Sequence, residues 1–146
     1  MTAWPLVKAR LVALAPTLAG WSGISAYNGP VVTGEAPTDF FTVGFVPGED
    51  FGGSYEQDRG LGDIPVESGT VRCELVCSSG DTNMPVVEAR AFALIAALQA
   101  EVDRDPTLGV LRPGSSVTLA VDVQPQQSTA GAVQRLAVTV NYVAYV

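Results

Sequence analysis

Residues 85–103 read PVVEARAFALIAALQAEVD, and this stretch decides the architecture. Val87, Ala91, Leu94, Ile95, Leu98 and Val102 recur at spacings of three and four, the period of one helix face. Most other positions are apolar too: Ala89, Phe92, Ala93, Ala96, Ala97 and Ala100 leave Glu88, Arg90, Gln99 and Glu101 as the evident solvent residues. A helix this apolar around its circumference needs cover on more than one side. One side should be a sheet supplied by the chain itself. The alanines of the other side suit close approach, first by the N-terminal helix and then by a neighbouring subunit.

The flanking segments alternate with period two. Upstream, Ile64 to Cys77 puts Val71, Cys73, Leu75 and Cys77 on one face, with Thr70, Arg72, Glu74 and Val76 on the other. Residues 78–83, SSGDTN, form a turn rich in capping side chains, and Pro85 suits the first helical turn. Downstream the helix reaches Arg104 and is broken by Asp105-Pro106 and Gly109. Ser116 to Gln124 alternates again, with Val117, Leu119, Val121 and Val123 on one face. PQQSTAGA reads as a polar turn. Gln134 to Val146 then repeats Leu136, Val138, Val140, Tyr142, Ala144 and Val146 in strict period two.

The N-terminal half is less regular. A helix is predicted from about Trp4 to Leu14, its stripe of Leu6, Val7, Leu11 and Leu14 continuing to Leu18. Pro5 is tolerable in the first turn, while Pro16 and Gly20 bring the helix to an end. Trp21 to Tyr27 reads as a short strand stopped by Asn28-Gly29-Pro30. Phe40 to Val46 is a second short strand. Pro47 to Asp63, PGEDFGGSYEQDRGLGD, is rich in glycine and charge and is read as a flexible loop with Phe51 and Tyr55 embedded. A loop of that length in a compact domain is functional or disordered.

These elements predict one α+β domain over residues 1–146: a single mainly antiparallel sheet, two helices on one face and a long β–β loop. Arg72, Glu74, Thr118, Asp122, Arg135, Thr139 and Asn141 would form the opposite, wetter face. With 146 residues the chain can bury a core without disulfides or metal.

Composition narrows the chemistry. The chain carries a net charge of −7 and no histidine. Its eight basic residues are scattered, whereas gripping a phosphate backbone needs clustered Lys and Arg. DNA passing without being gripped remains compatible. Lacking histidine, the chain has no Ser-His-Asp or Cys-His arrangement. Gly60-Leu61-Gly62 has neither the third glycine nor the following helix of a nucleotide loop. Glu49, Asp50, Asp58 and Asp63 read as solvated carboxylates. No enzymatic activity, cofactor or metal is expected. Cys73 and Cys77 stand about 13 Å apart along a strand, beyond the about 4–7 Å of a bridged pair, so two buried thiols are expected. Lys8 and Arg10 interrupt the N-terminal apolar run, unlike a secretion signal, and no stretch approaches about 20 uncharged apolar residues. A soluble, intracellular protein is expected.

The order and texture of the chain resemble the tail terminator proteins of long-tailed, non-contractile (siphovirus-type) bacteriophages, particularly those of actinobacterial hosts. The matching features span most of the sequence. They are the opening helix, SAYNGPVVTGEAPTDFFTVGF, VRCELVCSSGD, the alanine-rich helix from EARAFALIAAL, DPTLG, and a C-terminal strand pair containing GAVQRLAVTVNY. Gly29-Pro30, Ser79-Gly80-Asp81 and Ala89-Arg90-Ala91 are its most recognisable pieces.

The resemblance implies a homohexameric ring at the head-proximal end of the tail, in the virion after assembly in the host cytoplasm. Such a ring binds the last tail-tube subunits, stops polymerisation and meets the head connector, and genomic DNA passes its lumen. Under that reading Phe51, Tyr55 and Arg59 are candidates for contact with tube or neighbour, against plain loop surface. Arg90 and Arg104 would pair with acidic residues of a neighbour, against a solvated helix face. Gln126, Gln127 and Ser128 would line the lumen or meet the connector, against an ordinary turn. The alternatives are another neck component (a tail-completion or head-closure protein) and a small enzyme or non-viral binding module.

Overall fold

In a computed structural model of the chain, residues 2–31, 38–59, 64–128 and 131–146 are described. Two long strands make its centre: β4 (Val66–Ser79) and β6 (Gly131–Tyr145) pair antiparallel from Val66↔Tyr145 to Ser79↔Ala132. β5 (Ser116–Ser128) pairs antiparallel with the far side of β6. On the near side of β4, β2 (Phe40–Val43) pairs with residues 73–76 and β3 (Gly53–Asp58) with residues 66–71. β1 (Ser25–Asn28) completes the sheet by pairing parallel with β2. The order is β1-β2-β4-β6-β5, with β3 on the flank of β4. With one parallel pair in an otherwise antiparallel sheet and two helices, the fold is α+β.

Both helices, α1 (Trp4–Leu14) and α2 (Met84–Arg104), contribute to one core on one face of the sheet. The predicted stripe of α2 is the buried one: Val87, Ala91, Leu94, Ile95, Leu98 and Val102. They meet the face built from Val71, Cys73, Leu75, Leu136, Val138 and Val140, all at most 1% exposed. α1 contributes Val7, Leu11 and Leu14. Cys73 and Cys77 are buried free thiols on that face. Among the described residues no helix is long and apolar enough to cross a membrane.

Several expectations need correction. Strand character begins at Ser25 rather than Trp21, because Trp21 is used as a plug. Its indole is fully buried, donates from Nε1 to the Leu94 carbonyl at 2.9 Å, and meets Phe41 edge-on at 5.1 Å. The supposed loop 47–63 contains β3, which completes the backbone ladder that short β2 leaves open on β4. Its residues are mostly exposed, so the alternation that betrays a half-buried strand is missing. The turn predicted at PQQSTAGA is shorter, since Pro125–Ser128 pair with Gly131–Gln134. Proline is tolerated there because β5 is an edge strand. Residues 32–37, 60–63 and 129–130, which belong to predicted loops and turns, lie outside the described residues.

The alanine face of α2 does not meet α1 as expected. Ala97 is partly buried against the core, but Ala93, Ala96 and Ala100 are exposed, together with Val86 and Phe92. A groove of about 490 Å³ runs between the helical layers, walled by Leu14 and Leu18 on one side and Ala97 and Ala100 on the other. Both helices seat on β4, α2 reaching on to β6 and β5 and α1 to β1 and β2, so sheet geometry sets their separation.

Candidate assembly interface

The sequence-selected residues do not converge on one place. Phe51 and Tyr55 lie on the β2–β3 side of the sheet and are 74% and 53% exposed. Phe51 precedes β3, Tyr55 lies within it opposite Gly69, and Arg59 follows it as an exposed residue. Tyr55 is therefore held by a ladder rather than carried on a loop tip.

Arg90 turns inward. Its Nη2 donates to Asp39 Oδ1 at 2.9 Å and to the Ser78 carbonyl at 2.8 Å, tying α2 to the residues just before β2 and the end of β4. The Asp39 side chain is only 17% exposed, so this pin is partly dry and its partner comes from within the subunit. Arg104 is exposed and pairs with Glu101, three residues earlier on α2. Each guanidinium has a carboxylate of its own subunit within reach. A pattern search misses Arg90's partner because Asp39 lies 51 positions away.

Gln126 and Gln127 stand on β5 rather than in a turn. Gln126 Oε1 accepts from Arg135 Nε at 3.2 Å, and Gln127 Nε2 donates to the Thr82 carbonyl at 2.8 Å. Ser128 ends β5 opposite Gly131, and its side chain lies outside the described residues. This end of the hairpin is thus fastened to the turn before α2.

The open face of the sheet is polar, as its alternation predicts. Arg72 pairs with Glu49 at 2.8 Å, Arg135 with Glu74 at 3.0 Å, and Thr70 donates to Asn141 at 3.0 Å. Burial raises the Glu74 carboxyl pKa, opposed by the adjacent Arg135. A trough of about 470 Å³ runs across this face between Val46, Glu49, Arg72, Asp122 and Thr139. It holds one guanidinium against two carboxylates, so its local field is negative.

The groups with strongly shifted pKa values are buried side chains. Burial pushes the Cys73 thiol up to about 12 and the Cys77 thiol to about 11, the latter with help from Asp39. Such thiols are inert toward nucleophilic chemistry at neutral pH. No grouping of three or more His, Cys, Asp or Glu placed to hold a metal occurs among the described residues. What the surface offers instead is edges and apolar patches. β5 and β1 are the end strands of the sheet, and Phe51, Tyr55, Val86, Phe92, Val123 and Val143 are each exposed. No protein-family model matches this sequence, and no curated protein matches it.

Proposed function

We propose that this chain is a tail terminator of a long-tailed, non-contractile bacteriophage. It forms a ring, hexameric in this reading, that caps the tail tube, stops its polymerisation and joins the tail to the head connector. The observation that carries the proposal, beside the sequence resemblance, is the long edge of the sheet at β5, which no other strand among the described residues covers. β5 exposes the outer side of a 13-residue edge strand, and the opposite flank is bounded by the short β1 and β3. Unpaired edges are a liability that proteins cover or blunt, and covering by a second copy uses two different patches in a head-to-tail contact. Such contacts close into a ring when the rotation between copies divides the full circle. The negative open face and the net charge of −7 suit a conduit that must release DNA.

Deletion of the gene in an infecting phage tests the reading. Loss of a terminator leaves overlong polytubes seen by electron microscopy. Tails of normal length left unattached to heads would assign the chain to head closure instead.

A further inference from the structure

The loop between β2 and β3 is gathered at its base. Gly44 N donates to the Arg72 carbonyl at 2.8 Å and Arg72 N to the Gly52 carbonyl at 2.9 Å, so one residue of β4 holds both ends. A Cβ on Gly52 would stand 1.9 Å from the Gly44 oxygen, so the two backbones approach as only glycine permits. Glu49 is tied to Arg72 as well. The excursion therefore presents Phe51, 74% exposed, beside Asp50, an exposed carboxylate with no partner among the described residues. A knob held at its base loses little freedom when it docks.

Elsewhere the surface has an apolar dent. Leu6 of α1, Val110 and Leu111 of the connection after α2, and Tyr145 and Val146 line it, with Ala3 beneath and Arg112 on the rim. Leu6, Val110 and Tyr145 are 38–39% exposed. Arg112 is exposed, and its guanidinium has no hydrogen-bond or ion-pair partner among the described residues. The dent holds about 40 Å³, far below the several hundred Å³ of a small-molecule site. It suits a side chain of another protein surface.

We infer that Phe51 of one copy seats on the Leu6–Tyr145 socket of the next, with Asp50 opposite Arg112. The inference rests on the ring-building part of the reading above and names the surfaces that build it. Charge complementarity selects the occupant: an acid-flanked aromatic meets an apolar socket with a cationic rim, and the same chain carries both. Knob and socket are different patches, so the contact is head-to-tail and repeats from copy to copy.

Native mass spectrometry and sedimentation equilibrium of the full chain test this, with circular dichroism confirming that each variant is folded. Phe51→Ala should weaken self-association about 30-fold or more, as loss of a central aromatic anchor does. Asp50→Arg and Arg112→Glu should each weaken it about tenfold, and the double variant should return to within about threefold of the parent. Rings that form with unchanged affinity in all three single variants would overturn the contact while leaving a ring built elsewhere. Singles that weaken association without rescue in the double would overturn the Asp50–Arg112 pairing. A parent that stays monomeric at the highest soluble concentration would also overturn the contact, and the deletion phenotype remains the separate judge of the terminator role.

Discussion

Glu67→Gln should destabilise the protein far more than an isosteric change on a surface would. Glu67 lies on the helix-facing side of β4 with no exposure, and accepts hydrogen bonds from Thr2 Oγ1 and the Ala3 backbone N–H. The Thr2 hydroxyl in turn accepts from Trp4 N at 3.4 Å. α1 has no side-chain cap from its own N-terminal residue, so a carboxylate 64 positions away caps it. That negative charge also faces the positive end of the helix dipole. The amide keeps the volume but replaces one acceptor with a donor, so one of the two incoming donors meets an NH₂ group. Losing a charge-assisted hydrogen bond removes about 1.5–3 kcal/mol, while the Thr2 hydroxyl can turn to accept from the new NH₂ group, so no donor is orphaned and about 1.5–3 kcal/mol is expected. The Tyr142 hydroxyl makes no hydrogen bond of good geometry, yet burial and then Glu67 raise its pKa, so the two groups lie near one another. If the phenol accepts from the new NH₂ group, the loss falls at the lower end of that range. For a domain of this size the melting temperature should fall on the order of 10 °C. Urea titration followed by circular dichroism should show a lower midpoint at unchanged slope. A loss under about 0.5 kcal/mol would refute this account of the α1 cap. Ala3 also lies beneath the proposed socket, so the variant should associate more weakly even where it remains folded.

Gly69→Ala should cost about 1–3 kcal/mol by overpacking, because its Cβ would lie 2.3 Å from Cζ and Oη of Tyr142; a neutral result in urea titration would show that the ring moves freely. Raised thiol pKa values put stability on the alkaline side at risk. Below pH 9 both states hold the Cys73 proton, whereas between about 9 and 12 the unfolded chain releases it and the folded one does not. Stability therefore falls as pH rises through that window, by at most about 1.4 kcal/mol per pH unit for this thiol. Cys73→Ala should flatten the fall between pH 9 and 10, and an unchanged slope would count against it. Ala96→Arg, on the exposed face of α2, should leave monomer stability within about 0.5 kcal/mol; a larger loss by thermal unfolding would mean that this face packs within the subunit.

Local periodicity carries much of the fold. The buried residues of α2 and the inward faces of β4 and β6 follow the pattern in the sequence, because backbone geometry alone fixes which side chains share a side. The polar open face follows from the same alternation, and the two inert thiols from their places in it. What covers each face is a different matter. β3 escaped because an exposed edge strand needs no alternation, only a free ladder on β4 to pair with. Pro125 looked like a turn residue and is an edge residue. Arg90 looked free until Asp39 arrived from 51 positions away. The alanine face of α2 looked reserved for α1, yet Ala93, Ala96 and Ala100 are exposed. Glu67 drew no notice in a strand of alternating residues, and it holds the start of α1. Period and composition are properties of neighbouring residues, so the sequence by itself determined the long elements α2, β4 and β6, their buried sides and the lack of histidine chemistry. Strand order, register and the partners of Arg90, Glu67 and Trp21 arise only when distant segments close on one core, and tertiary structure alone decided them.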